Sequence, residues 1–291
     1  MKSAENKAWQ PTFAALAAVL AAALAPTGSA LAQQSAGVLP APTYADLVDL
    51  AGESKLVVKA KIRKQSALSP ERSPFLRSGY VRLYIEADTE ALITGSASIG
   101  ESLRYLADVP IEANGKPPKL TKQEVLLFAL PVAGSPSDLQ LVTNEAQFAD
   151  SPSLEMQLRT ILGELVAPDA PPKITGLRDA FSVAGNLAGE SETQIFLETD
   201  SGAPVSLNVI RRPGMAPEWG VSWTDLVDES ARPPKRDTLA WYRLACFLPL
   251  TLPEESNLAP PGESKQRAAQ DYALVIDQLG TCPRNLHPAE L

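Results

Sequence analysis

One stretch decides the fold of the N-terminal half, KLVVKAKIR at residues 55–63. Apolar side chains fall at every second position, at Leu56, Val58, Ala60 and Ile62, and mostly basic residues stand between them. Because successive side chains of a β-strand point to opposite faces of the sheet, this alternation predicts a strand with one buried and one solvated face. An amphipathic helix would need a period near 3.6 and is not indicated.

The segments around this strand predict a short helix followed by about five antiparallel strands. Asn114 to Pro118 forms a strong turn, and Glu124 to Leu130 is nearly all apolar, as expected of a strand buried on both faces. Such a set predicts a small antiparallel barrel over residues 44–150, because a closed barrel has no free edges. An open sheet or a sandwich fits the same number of strands. The predicted helix and remaining strands are Tyr44 to Gly52, Tyr80 to Ala87 (extending to Gly95 with a bulge near Asp88), Ser102 to Ala107 and Asp138 to Val142.

The stretch from Tyr44 to Ile62 resembles the opening of secreted OB-like domains, in which a short helix precedes a strand of this type. The resemblance covers a small part of the chain and implies an OB-like barrel. It implies no functional residues.

The hydrophobic period changes after residue 150. Ser151 is a helix cap with Pro152 at the first helical position, and leucines at 154, 158 and 162 share one helical face. The run Pro168 to Pro172 ends this helix, so we predict a domain junction here and a second domain over residues 151–291.

The second domain is predicted to be of α+β type. Three strands, Gln194 to Thr199, Val205 to Ile210 and Trp219 to Trp223, are separated by turn sequences and predict a three-stranded meander. A buried helix from Thr238 to Phe247, capped by Asp237, and a final helix from Ser264 to Leu279 are predicted to pack on it.

The first 32 residues predict a signal peptide. Lys2 and Lys7 precede an apolar run, and Ala30-Leu31-Ala32 is a typical cleavage sequence, so the mature chain is expected to begin at Gln33. Residues 33–43 are then a flexible leader, and the protein is periplasmic or secreted. An uncleaved membrane anchor is the alternative, but Pro26 interrupts the run; after cleavage no membrane insertion is expected.

Charge argues against nucleic acid as a partner. Loss of Lys2, Lys7 and Glu5 leaves 24 basic and 33 acidic residues in the mature chain, a net charge of −9. An acidic protein repels a phosphate backbone.

Cys246 and Cys282 are the two cysteines of the chain, and in an oxidising compartment they predict one disulfide. Two unpaired thiols are the alternative.

Most common catalytic chemistries lack their residues. His287, near the C-terminus, is the single histidine, so neither a Ser-His-Asp triad nor a zinc site is predicted, and no cofactor is expected. A hydrolase that uses a pair of carboxylates is still possible, because acidic residues form two groups. The first is Glu190 with Glu192, and the second is Asp225, Asp228 and Glu229.

Two further patterns have a functional and a structural interpretation. Arg211 and Arg212 can bind an anion or lie as solvated charges beside a turn. Trp219 and Trp223 can form a carbohydrate platform or fill the core, and the core is favoured for them and for the pair Trp241-Tyr242.

The sequence therefore predicts an exported, soluble, non-catalytic binding or envelope-associated protein whose partner is an envelope protein or a glycan. A carboxylate hydrolase of the envelope and a structural scaffold are the alternatives.

Overall fold

The computed structural model describes residues 41–224 and 231–286. Four features of the sequence analysis lie outside the described residues: the predicted signal peptide with its cleavage site at Ala32–Gln33, most of the leader, the acidic group at Asp225 to Glu229, and His287. The helices and strands, in chain order, are α1 (Tyr44–Glu53), β1 (Leu56–Ala67), β2 (Tyr80–Thr94), β3 (Ser102–Pro110), β4 (Glu124–Val132), β5 (Ser135–Leu141), β6 (Gln147–Ala149), α2 (Pro152–Val166), β7 (Ile174–Ala184), β8 (Ser191–Thr199), β9 (Val205–Arg211), β10 (Glu218–Ser222), α3 (Leu239–Ala245) and α4 (Glu263–Leu279).

The first five strands form a closed barrel, which confirms the prediction of a barrel over an open sheet. The ring order is β1-β2-β3-β5-β4, and β1 closes it because Leu56 to Lys61 pair with β4 on one side while the strand pairs with β2 on the other. β6 pairs with Val125 to Leu127 of β4, on the edge where β5 pairs with Ala129 to Val132, because β1 occupies the other edge. The alternating stretch at residues 55–63 is therefore the strand that closes the ring.

The prediction that all barrel strands pair antiparallel was wrong at one place. β3 and β5 pair in parallel through Arg104 and Asp138, whose side chains also form an ion pair of 2.8 Å. β5 returns from β4 by a tight turn and so reaches β3 running in the same direction as β3. This long-range pairing leaves no local pattern.

Buried apolar residues fill the barrel. Val125 to Ala129 of β4 are all buried, which confirms the predicted burial of both faces of this strand. Register shifts flank Asp88 in the β1–β2 ladder, close to the predicted bulge.

The second sheet has four antiparallel strands in the order β10-β9-β8-β7, so the prediction of three strands was wrong by one. The missed strand, β7, carries register shifts between Ile174 and Gly176 and between Leu177 and Asp179. Each irregularity moves the next side chains to the other face, which removes the alternation by which a strand is detected. α4 contacts β7 and β8.

Helix α2 begins as predicted, with the Ser151 hydroxyl accepting from Leu154 N at 3.3 Å. Helix α3 is shorter than predicted, and its cap is Thr238 instead of Asp237, which adopts a φ of 58°. Glu164 of α2 joins three helices, because its Oε2 accepts from the Tyr44 hydroxyl of α1 at 2.9 Å and from Leu239 N of α3 at 3.0 Å.

A C-terminal strap, residues 283–286, runs along α1. The carboxylate of Asp46 accepts from the backbone N–H of Asn285 at 3.0 Å and of Leu286 at 3.2 Å, and Arg284 contacts Asp49 at 2.7 Å. Cys246 and Cys282 form the predicted disulfide, which ties the end of α3 to the start of this strap.

The predicted division into residues 44–150 and 151–291 stays a prediction. Among the described residues, no helix is long and apolar enough to cross a bilayer.

Candidate functional site

A cavity of about 580 Å³ opens at the end of the barrel where β3 ends and β4 begins. We call it the barrel-end cavity. Its walls are mainly apolar and come from four sources: the segment Ala41–Pro42 before α1, the barrel strands together with β6, the β3–β4 loop and the start of α2. The apolar wall residues that matter below are Val109, Leu120, Val125, Phe148 and Leu154. Small-molecule sites in proteins have this size and character.

Gln65 of β1 fixes the loop that forms one wall. Its side-chain Nε2 donates to the carbonyl of Pro118 at 2.7 Å, and its Oε1 accepts from the N–H of Leu120 at 2.7 Å. The loop, rich in proline, has few backbone donors of its own, so this paired amide holds Leu120 against the cavity. The wall is therefore preformed by contacts within the chain.

Gln147 of β6 is the polar residue most deeply buried in the wall, with 5% of its surface exposed. Its Oε1 accepts from the hydroxyl of Tyr105 at 2.7 Å. Burial raises the pKa of Tyr105 well above that of a free tyrosine, so this hydroxyl stays a donor.

The rim of the cavity is polar. Lys119 and Glu112 lie on the loop side, and Ser153 and Gln157 lie on the side of α2. The arrangement therefore suits a ligand with an apolar body in the cavity and a polar end at the rim.

A second cavity, also of about 580 Å³, is charged. Lys59 lies in it with Nζ at 2.6 Å from Asp150, 3.4 Å from Glu124 and 3.5 Å from Glu155. Asp150 raises the pKa of Lys59, and Arg159 lowers the pKa of Glu155, with Lys59 adding to the effect. A general acid of a glycosidase needs a raised carboxyl pKa. Glu155 is therefore poorly suited to that role.

The acidic candidates from the sequence have structural partners. The Glu190 carboxylate accepts from the N–H groups of Asn186 at 3.0 Å and Leu187 at 3.1 Å, which closes the β7–β8 turn. Glu192 accepts from Gln194 at 2.8 Å. Both carboxylates are thus engaged by their own hairpin.

The two arginines separate into different environments. Arg211 donates to the buried carboxylate of Asp271 at 2.6 Å, an interaction that neither sequence interpretation anticipated. Arg212 is an exposed charge paired with Glu218 at 3.2 Å.

The tryptophans lie mainly in the core, as favoured. Trp219 is 4% exposed and its indole N–H donates to Gln278 at 2.8 Å, while Trp223 is partly buried against the core. Trp241 and Tyr242 are buried in α3. An exposed aromatic platform on this strand is therefore not formed by Trp219.

Sequence reasoning missed Gln65, Tyr105 and Gln147. The available signal was an amide inside an apolar segment, since Gln147 stands between Ala146 and Phe148. Such a residue is buried only when it has a partner, and the partner here is 42 residues away in the chain.

No protein family model matches this chain, and no curated protein matches it either. Within residues 41–224 and 231–286, no group of three or more His, Cys, Asp or Glu side chains is placed to hold a metal ion.

Proposed function

We propose that this protein is an exported, soluble, non-catalytic binding protein of the cell envelope, periplasmic or secreted, and that its binding site is the barrel-end cavity. The observation that carries the proposal is a preformed apolar cavity of about 580 Å³ with one deeply buried amide in its wall. The disulfide supports the location, because such bonds persist in oxidising compartments.

We also infer that the barrel is of the OB type and that helices pack on the meander formed by β8, β9 and β10. The ring order β1-β2-β3-β5-β4 supports the first inference, and the contacts of α4 with β8 support the second. OB barrels commonly serve as binding modules, which agrees with the proposed role. A protein or glycan of the envelope stays the predicted partner.

Binding is tested with the dye 1-anilinonaphthalene-8-sulfonate and the chain from Gln33 to Leu291. We expect saturable binding at one site. Ala149 is exposed and lines the cavity, so Ala149→Phe fills it and should weaken dye binding at least tenfold. Ala184→Phe, at an exposed position of β7 away from the cavity, is the matched control and should bind as the wild type does. Equal affinity in both variants would contradict the proposed site.

Export and the lack of turnover need separate measurements. N-terminal sequencing of the periplasmic or secreted chain should begin at Gln33, and mass spectrometry should recover any bound small molecule chemically unchanged. A chain found in the cytosol with Met1 in place would contradict export. A bound molecule that is hydrolysed, with the reaction lost in Glu192→Gln or Glu229→Gln, would support the carboxylate hydrolase instead.

A further inference from the structure

We propose that the C-terminal strap is a redox-sensitive switch for the barrel-end cavity. While the disulfide is closed, the strap holds one wall of the cavity, and reduction of the disulfide releases that wall and weakens binding. The inference rests on the proposed function and names a way in which the same site is regulated.

The strap contacts the segment that forms the cavity wall before α1. Ala41 and Pro42 line the cavity, and the side-chain Nδ2 of Asn285 donates to the carbonyl of Ala41 at 2.8 Å. On the other side of Pro42, the hydroxyl of Thr43 lies 2.9 Å from the carbonyl of Pro283. The strap therefore touches this wall on both sides of Pro42.

One buried carboxylate, that of Asp46, anchors the wall and the strap together. It accepts from the backbone N–H groups of Thr43 at 2.8 Å, Asn285 at 3.0 Å and Leu286 at 3.2 Å. Asp46 has 2% of its surface exposed, and a carboxylate at such a place depends on its hydrogen-bond donors. Two of these three N–H groups belong to the strap, so release of the strap loosens the start of α1 as well.

The disulfide fixes the end of the strap that leads into these contacts. Cys282 directly precedes Pro283, and its bond to Cys246 attaches it to the end of α3. The first three residues of the strap are exposed and only Leu286 is buried, so the strap has little packing of its own. A covalent tether raises the effective concentration of such a segment at its docking place. Without the tether, the strap is connected by the chain alone to the end of α4 and leaves α1 more often.

The surroundings of the disulfide favour its reduction with a defined leaving sulfur. Both cysteines are partly exposed. The Nη1 of Arg284 lies 3.5 Å from Sγ of Cys282, and its Nε donates to Asp49 at 2.7 Å, which keeps the guanidinium in place. A neighbouring guanidinium stabilises a thiolate, and a stabilised thiolate is the better leaving group in thiol–disulfide exchange. Cys282 is therefore the sulfur that leaves.

The reductant of this switch is a dithiol. One of its thiolates attacks Sγ of Cys246 and forms a mixed disulfide, while the electron pair of the broken S–S bond leaves on Sγ of Cys282. The second thiolate of the reductant then closes the reductant's own disulfide and releases Cys246. The dithiol loses two electrons, the protein disulfide gains them, and the two protons of the dithiol pass to Cys246 and Cys282.

The test measures binding of 1-anilinonaphthalene-8-sulfonate to the chain from Gln33 to Leu291, before and after reduction with dithiothreitol. We expect the dissociation constant to rise about tenfold on reduction, because fixing the backbone of one wall residue costs roughly that factor. Asn285→Ala with the disulfide intact should raise it about fivefold, the effect of one hydrogen bond. Reduction of Asn285→Ala should add no more than about twofold, since both changes act on the same contact.

Asn186→Ala is the matched control, because Asn186 is an exposed asparagine in the β7–β8 turn and has no contact with the strap. This variant should bind the dye and respond to reduction as the wild type does. Far-UV circular dichroism of each reduced sample should show an unchanged fold. Loss of the fold on reduction would overturn a switch that is confined to the strap.

Hydrogen exchange follows the strap without any ligand. The N–H groups of Asn285 and Leu286 should exchange at least about tenfold faster after reduction, because local opening sets their rate, while those of β1 keep their rate. Unchanged exchange at Asn285 and Leu286 would overturn the switch.

Equal or tighter dye binding after reduction would also overturn the switch. If the dye still binds at one site that Ala149→Phe blocks, the proposed binding function stands and only its regulation is wrong. Absence of saturable dye binding in both the oxidised and the reduced protein would instead remove the proposed function, and with it the switch.

Discussion

The interiors of the barrel and of the four-stranded sheet are built differently. Inside the barrel, strands pair around a full ring and side chains such as Leu83, Leu103 and Leu126 are completely buried. Between α4 and the second sheet, by contrast, the interior includes Thr193 and the carboxylate of Asp271, both without exposed surface.

Unsatisfied polar atoms follow the same division. Among the described residues, the buried side chains with an atom that lacks a hydrogen-bond partner are Asp150, Ser182, Ser191, Asn208 and Arg267. Of these five residues, only Asp150 belongs to the predicted barrel domain, of which it is the last residue. The barrel's own buried ion pair, Arg82 with Asp108 at 2.7 Å, lies on the strand face opposite to Leu83 and therefore outside the ring.

Closure lets a sheet keep an apolar interior, whereas a single layer covered by helices needs additional ties. The second half has two such ties, the disulfide and the Arg211–Asp271 pair.

Replacing Cys246 and Cys282 by alanine should lower the free energy of unfolding by about 4 kcal/mol, since the bond closes a loop of 36 residues in the unfolded chain. Urea unfolding of the chain from Gln33 to Leu291, followed by tryptophan fluorescence, measures this loss, because its tryptophans, Trp219, Trp223 and Trp241, all lie after residue 150. A loss below 1 kcal/mol would show that the second half does not depend on the disulfide.

Asp271→Asn should cost about 3 kcal/mol, the lower end of the range for breaking a buried ion pair, because Arg211 keeps some contact with water. The same urea titration measures this change. Stability equal to the wild type would mean that the carboxylate is not needed to hold α4 on the sheet.

High pH should destabilise both halves. Burial raises the pKa of Tyr105 in the barrel and of Tyr272 in α4, so both stay protonated in the folded protein where an unfolded tyrosine ionises. Their stabilisation is complete below pH 10, the unfolded value, and is lost above it by about 1.4 kcal/mol per pH unit for each group.

Unfolding free energies at pH 9 and pH 11 measure this effect. Tyr105→Phe and Tyr272→Phe should each reduce the loss by the same amount, because desolvation is the main cause at both positions. Unequal reductions would show that the two interiors differ in polarity around these hydroxyls.

Glu218→Gln should change stability by less than about 0.5 kcal/mol, since its pair with Arg212 is exposed. Thermal unfolding of this variant and of Asp271→Asn, measured side by side, compares an exposed ion pair with a buried one. The two pairs involve neighbouring arginines, Arg212 and Arg211. A loss as large as that of Asp271→Asn would remove the distinction.

The sequence predicted those elements whose signals are local. The alternation around Ala60 predicted β1, the cap and proline at Ser151-Pro152 predicted α2, and two cysteines in a chain predicted to be exported predicted the disulfide. Each depends on neighbours in the chain or on a simple count.

The missed features depend on contacts between distant residues. Irregular pairing hid β7, and the parallel contact of Arg104 with Asp138 appears only when the ring closes. The cavity is formed by a loop that Gln65 holds from another strand, and its polar character depends on the contact between Tyr105 and Gln147. No local sequence pattern encodes these contacts, because the residues that make them are far apart in the chain.

The strap on α1 also constrains the order of events during biosynthesis. Asp46 accepts hydrogen bonds from backbone groups 239 and 240 residues further along the chain. The ribosome delivers α1 long before those groups exist, so its carboxylate remains without these two contacts until Asn285 and Leu286 have been made and have folded against it. The first of the described helices is thus completed by the last of the described residues, and a chain cut short before Asn285 would leave both hydrogen bonds unmade.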